Sequence, residues 1–223
     1  MIIACVFKES RTFSVDYVRV FSNVLHAYHP EYDQVCLTDY ERNDLPKRME
    51  RIPFSRDFVD HGEWFGKLEL FRPDVREDLF YSDLDNVITS PLSNFFEYHL
   101  ANPQVPFMID DVDPNVKRLQ SAVMYVPHGQ KDHVWRRLRD HGRLISEAGA
   151  FGDAKVIRES PGWTPRTYQG TFHRNCVVSY RHGWLKSVRE GVQVVCQHGK
   201  TEKPLESRFA NDELIRNHFL RWR

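Results

Sequence analysis

Apolar residues come in short bursts along this chain, and their spacing switches between the period of a buried strand and that of a helix. Residues 2–7 (IIACVF) are apolar without a break, which predicts a strand covered on both faces. Val15, Val18, Phe21, Ser22 and Leu25 then recur at helical spacing, with Ser14 and Asp16 near the start and Pro30 closing the helix. Val35-Cys36-Leu37-Thr38 predicts a second strand that ends in Asp39. Such a strand–helix–strand opening predicts a right-handed crossover and a mostly parallel sheet.

The pattern continues in the same style. Residues 52–54 predict a third strand, Trp64–Phe71 a helix stopped by Pro73, and Leu79-Phe80-Tyr81 a strand running into Ser82-Asp83-Leu84-Asp85. Further strands are expected at 105–109, 121–126, 176–180 and 192–196. A charged amphipathic helix is expected at 131–147, through Val134, Leu138, Leu144 and Ile145. The stretches 149–172 and 199–213, rich in Gly, Pro, Thr and charge, read as mobile loops over a site. No repeat or long linker interrupts the series. The expected architecture is one α/β domain over residues 1–223, with a mostly parallel, mixed-edge sheet flanked by helices.

Composition narrows the function classes. With 41% hydrophobic and 28% charged residues the chain suits a folded, soluble protein rather than a disordered one. Lysine plus arginine equals aspartate plus glutamate at 31 each, so no global field points to nucleic acid or membrane. No apolar run approaches the ~20 residues that span a bilayer. The opening MIIACVFK is too short an apolar run for a signal peptide, so a cytoplasmic protein is expected. Cys5, Cys36, Cys176 and Cys196 lie among apolar residues without zinc spacing, and read as small buried residues in a reducing compartment.

The sharpest chemical signal is the pair Asp83 and Asp85 after an apolar strand. In an open α/β sheet ligands gather beyond the carboxyl ends of the strands. Two carboxylates one residue apart can offer oxygens there to a hard cation such as Mg²⁺ or Mn²⁺, which would also take diphosphate oxygens. A diphosphate leaving group needs that neutralisation, because negative charge builds on it as the sugar bond breaks.

The stretch WFGKLELFRPDVREDLFYSDLDNVI, residues 64–88, resembles GT-A glycosyltransferases of the glycogenin and lipopolysaccharide galactosyltransferase group. There a Lys-bearing helix precedes an aromatic-apolar strand, a D-x-D and another apolar run. Val194-Val195-Cys196-Gln197-His198-Gly199-Lys200, followed by Pro204, resembles the C-terminal metal and diphosphate motif of the same group. The resemblance implies a nucleotide-sugar donor, with UDP as its nucleotide, and a metal held by Asp83, Asp85 and His198. The imidazole favours Mn²⁺ over Mg²⁺ in such a mixed site. Lys200, with Lys203 as the alternative or second contact, would meet the diphosphate. Lys67 would approach the donor, and Thr38 and Asp39 lie where related folds hold the base.

The chain also departs from that group. Gln120-Ser121-Ala122 stands where Asn-Ser-Gly is common, and Gly152-Asp153-Ala154 where Gly-Asp-Gln is common. Those positions usually face donor sugar or acceptor, so sugar and stereochemical course stay open. Asp110, Asp111 and Asp113 follow an apolar strand, and with Asp153 they are the candidates for a catalytic base. Trp163, Arg166 and Tyr168 are candidates for stacking on a ring. Some phage members of this kind resemble enzymes that glycosylate hydroxymethylated cytosine in DNA. The basic stretches 131–143 and 173–186 would suit a phosphate-binding face for that acceptor. Glycans, proteins and small molecules remain alternatives.

Three other readings compete. FYSDLDNVITS also resembles the first motif of haloacid-dehalogenase-type phosphatases, with Asp83 as nucleophile, Asp85 as general acid and Asp110-Asp111 as metal carboxylates. That motif belongs on a first strand, however, and too few residues separate it from Asp110. A non-catalytic nucleotide- or sugar-binding domain would be expected to have lost part of the Asp83, Asp85, His198 and Lys200 set. A sugar nucleotidyltransferase would want glycine after the first strand, and KESRTFS has none.

Overall fold

The computed structural model describes residues 1–223 except 11, 40–41, 56–64, 112–115, 117, 141–151, 181–190, 198–202 and 206–211. The chain opens with β1 (Ile2–Phe7), α1 (Val15–Tyr28), β2 (Gln34–Thr38) and β3 (Met49–Pro53). A 3₁₀ helix, Phe65–Phe71, leads to β4 (Leu79–Ser82) and the two-residue β5 (Val87–Ile88). Then come α2 (Ser93–Ala101), β6 (Phe107–Asp110), β7 (Leu119–Val126) and α3 (Lys131–Asp140). The last part holds α4 (Gly152–Arg158), β8 (Arg166–Thr167), α5 (Tyr168–Thr171), β9 (Val177–Ser179), β10 (Val194–Cys196) and α6 (Glu213–His218).

The main sheet runs β3-β2-β1-β4-β7-β6-β8. Strands β3, β2, β1 and β4 are mutually parallel, β7 is antiparallel to both β4 and β6, and β8 is parallel to β6. A second sheet, β5-β10-β9, pairs β10 antiparallel to β5 and parallel to β9. This is a mostly parallel mixed sheet flanked by helices.

The unbroken apolar run of β1 is explained by burial on both sides. Ile3, Cys5 and Phe7 join one core with α1 and α2, while Ala4 joins the other with Leu68, Leu70, Val134, Leu138, Val156 and Ile157. In the second core Gly66 lies against Phe54 and Val6, where an added Cβ would meet side-chain carbons at 3.1 Å. The small residue lets the 3₁₀ helix approach β1 and brings Lys67 to the strand ends. Glu69, fully buried, accepts from Ser55 and Arg72, and Arg72 also donates to the Pro53 carbonyl at 2.6 Å. Arg72 therefore fastens this helix to the end of β3.

Several expectations need correction. The helix expected at 64–71 is present as a 3₁₀ helix from Phe65, and Trp64 lies outside the described residues. Within 149–172, expected as a loop, Gly152–Arg158 is helical and buries Val156 and Ile157. The helix Ser93–Ala101 was not signalled. The helix expected at 131–147 is described only to Asp140. Among the described residues no helix is long and apolar enough to cross a membrane.

An aromatic cluster underlies β6 and β7. His99 stacks on Tyr125 with ring centroids 4.1 Å apart, and its Nε2 meets the Tyr168 hydroxyl at 3.0 Å. Burial pushes the His99 imidazole down to about 3, so it stays neutral in the fold. The unfolded chain takes up a proton below its ordinary value of 6.5, and the folded chain does not. Stability should therefore fall as pH drops from about 6.5 toward 3, by on the order of a few kcal/mol. Urea melts of wild type and His99→Gln at pH 7 and 5 check this. The variant, weaker at pH 7, should lose less stability on acidification.

Candidate active site

Strand direction decides which residues can meet. The carboxyl ends of β1 to β4 lie at one edge, and the antiparallel β7 delivers its first residues, Leu119 to Ser121, to that same edge. Asp83 leaves β4 there. Its N–H donates to the Ala122 carbonyl at 2.9 Å, and its own carbonyl accepts from Asn86 N–H at 3.1 Å, making a tight turn. The Asn86 amide locks that turn with bonds to Ser82 Oγ (2.9 Å) and the Ala122 carbonyl (2.8 Å). Two carboxylates are thus held on a short, fixed loop.

Around Asp83 the polar contacts are dense. Lys67 Nζ lies 2.8 Å from Asp83 Oδ1, 3.4 Å from Asp153 Oδ2 and 3.2 Å from Ser121 Oγ. Ser121 Oγ also donates to Asp153 Oδ2, and the Tyr81 hydroxyl donates to Asp83 Oδ1. Burial alone would lower the Lys67 pKa, but the Asp153 and Asp83 carboxylates outweigh it and hold the ammonium above its ordinary range. Burial and the neighbouring Asp85 push Asp83 up, against the pull of Lys67. Burial, reinforced by the Asp83 charge, lifts the Tyr81 phenol well above 10.0, so it serves as a neutral donor.

Asp85 is nearly buried and accepts from Lys203 Nζ at Oδ2. The same ammonium stands 4.8 Å from the centroid of the Phe13 ring. Lys203, read from the sequence as a diphosphate contact, thus sits on a carboxylate. Strand β10 ends beside this turn, since Val195 pairs with Val87. Burial, with the Asp83 and Asp85 carboxylates, pushes the Cys196 thiol well up. Gln197 follows, buried, with neither amide atom hydrogen-bonded.

The other predicted residues divide. Asp111 is held by Arg118 at 2.8 Å and by Gln120 at 2.6 Å, so its carboxylate is committed to a structural pairing. Asp110 ends β6 with its N–H on Gln169, and its carboxylate has no partner among the described residues. Thr38 is buried, and its hydroxyl lies 3.4 Å from Asp39 Oδ1 at the end of β2. Trp163 and Tyr168 are buried in the two cores, and Arg166 donates to the Tyr98 hydroxyl. His198, Lys200 and Asp113 lie outside the described residues. Sequence reasoning missed Tyr81 and did not give Ser121 a role. The signal for Tyr81 was present: residues two apart on a strand share a face, so Tyr81 had to lie beside Asp83.

A divalent cation is tested here on the donors themselves. Among the described residues no three metal-ligating side chains form a cluster. Among the described residues Oδ2 of Asp83 and Oδ1 of Asp85 have no hydrogen-bond partner, and these are the hard oxygens that Mg²⁺ or Mn²⁺ prefers. The unbonded Gln197 amide borders the same place along the chain. The donor chemistry fits.

The fold has parallels among solved structures. The galactosyltransferase LgtC in complex with donor and acceptor sugar analogs matches with a TM-score of 0.68 at 14% identity, covering 98% of this chain and 96% of that one. An active-site mutant of LgtC matches at 0.71 with 13% identity, over 97% of this chain and 93% of that one. The chain has a GT-A fold. The GT-A glycosyltransferase GlyE of Streptococcus pneumoniae also matches, at 0.63 and 12% identity over 92% of this chain, though over only 56% of its own. No family model matches the sequence, and no curated protein does. The Asp83–Asp85 turn stands at the carboxyl end of β4, the edge beyond which open α/β sheets gather ligands.

Proposed function

We propose that residues 1–223 act as one catalytic domain, a cytoplasmic glycosyltransferase moving a sugar from a nucleotide diphosphate, UDP in the first instance, to an acceptor hydroxyl. The observation that carries this is the charged cluster of Lys67, Asp83, Asp153 and Ser121 beside the Asp85–Lys203 pair, at the carboxyl edge of a GT-A sheet. Asp83 and Asp85, joined by His198, would hold Mn²⁺ or Mg²⁺. The cation would neutralise the departing diphosphate, as Lewis acids do for such leaving groups.

The chain's own residues then take defined tasks. Lys67 fixes Asp83 and Asp153 at a set separation. Lys203, within reach of Asp85, could turn to the diphosphate together with Lys200 when the cation takes its place. Thr38 and Asp39 border the base. Asp110, with its free carboxylate, is the better placed of the strand-end acids to accept a proton from an acceptor. Asp153 is engaged by Lys67 and Ser121 through one oxygen and keeps the other for sugar hydroxyls.

The phosphatase reading has little support, because Asp83 leaves the fourth strand of the chain rather than its first. Hydroxymethylcytosine in DNA remains one acceptor to test. The described part of the basic segment gives it no help: α3 begins where β7 ends, at the opposite edge of the sheet, and Arg136 leans on Asp132 at 2.8 Å. A panel of UDP-, GDP- and dTDP-sugars with Mn²⁺, followed for release of the nucleoside diphosphate with and without hydroxymethylated DNA, tests the reading. UDP release from one donor is the expected result. Binding of nucleotide with no turnover of any donor under any acceptor would favour a non-catalytic binding domain.

A further inference from the structure

Resting on that donor-site reading, we infer that Tyr81 is a positioning residue for the cation: its hydroxyl, with Lys67, engages Oδ1 of Asp83 and so aims Oδ2 at the metal.

The asymmetry between the two oxygens is the basis. Both hydrogen-bonding contacts to the Asp83 carboxylate fall on Oδ1, one from the Tyr81 hydroxyl and one from Lys67 Nζ. None falls on Oδ2 among the described residues. A carboxylate held through one oxygen by two donors has lost its rotation about the terminal bond, so the second oxygen points in one direction. Partners of this kind behind a metal ligand typically change metal affinity by 10–100-fold when removed.

Tyr81 is well built for the task. It is held in β4 between Ala4 of β1 and Met124 of β7, and its ring is buried in the core that contains Leu68 and Val134. The ring cannot move without the sheet. Lys67 Nζ also sits 5.5 Å from the ring centroid, so the phenol and the ammonium fix each other as well as the carboxylate. Residue spacing completes the design: Asp83 follows β4 directly, two residues after Tyr81, and its N–H still bonds to Ala122 of β7, so the alternation that sets Tyr81's face carries on to Asp83.

The test is Tyr81→Phe, which keeps the ring in its core and deletes only the hydroxyl. Free Mn²⁺ is followed by electron paramagnetic resonance during titration of the protein with UDP present, and the melting temperature is recorded without ligand. The expected result is a rise of about 10-fold in the Mn²⁺ dissociation constant, with a broadened or shifted signal from the bound ion. A purely structural role would lower the melting temperature and leave the Mn²⁺ constant within twofold of wild type, which would overturn the inference. If the wild type itself takes up no Mn²⁺ with UDP, the donor-site reading fails and takes this inference with it. If the wild type binds and the variant binds equally well, the inference alone fails.

Discussion

Lys67→Met should destabilise the protein by about 3–5 kcal/mol at neutral pH, the usual cost of leaving a buried charge without its partner. Lys67 is the one described cation within ion-pair distance of both Asp83 and Asp153, and its side chain is only 13% exposed. Without it two carboxylates face each other under a hydroxyl, with Asp85 nearby. The sign of the pH dependence follows. Burial and Asp85 already push Asp83 up with Lys67 present. Removing Lys67 pushes it further above its unfolded value. A carboxylate raised in this way costs stability above its folded pKa, and the cost disappears as acid protonates it. The gap between wild type and Lys67→Met should be widest near pH 8 and narrow toward pH 5. Denaturant melts at those two pH values measure it. A gap that widens on acidification would mean that the lysine is not the counter-ion of these carboxylates.

Asp85→Ala should lower sugar transfer by on the order of 10³-fold. Charge stabilisation of a leaving group by a bound cation amounts to several kcal/mol, and each 1.36 kcal/mol is tenfold in rate. The same change removes the Asp85 carboxylate that pairs with the Lys203 ammonium. Lys203, next to the diphosphate site, can still attract the nucleotide as a point charge. The loss should therefore fall on kcat and on metal dependence more than on the affinity for metal-free UDP. Steady-state rates over a Mn²⁺ series separate these effects. Equal losses of metal-free UDP binding and of kcat would point to collapse of the site instead.

The parts of the fold that were legible in the sequence are those in which one strand or helix carries its own signal. β1, α1 and β2 could be read because an apolar run and a 3.6-residue period are local patterns. The Asp83–Asp85 turn could be read because a strand runs straight into it. The Ser93–Ala101 helix gave no such signal. Its buried positions, Phe95, Phe96 and His99, do share one helical face, but the helix has only nine residues and the last of the three is a histidine, so the apolar period is too short to read. Helix Gly152–Arg158 is two turns long and holds its place by packing Val156 and Ile157 on β7 and the 3₁₀ helix rather than by its own propensity.

Within the site, the sequence showed the acids but not their partners. Lys67 and Ser121 are 54 residues apart, and Asp85 and Lys203 are 118 apart. Those meetings depend on tertiary order, in which β7 inserts beside β4 and Lys203 meets the turn at Asp85. No local pattern encodes them. Arg72 shows the converse. It is a basic residue near a candidate site, and its contacts with Glu69, Asp74 and the Pro53 carbonyl make it a strut.

The most direct test of the donor site is a thermal melt of wild type and Asp85→Ala with Mn²⁺, with UDP and with both. At ligand concentrations near 100 times the dissociation constant the native state gains about 2.7 kcal/mol, which for a chain of this length raises the melting temperature by about 5–10 °C. In wild type the shift should be larger with metal and UDP together than with either alone, and Asp85→Ala should show no gain from adding the metal. An unchanged melting temperature in wild type with every nucleoside diphosphate, or an equal shift in Asp85→Ala, would contradict a metal-assisted nucleotide-sugar site at Asp83 and Asp85.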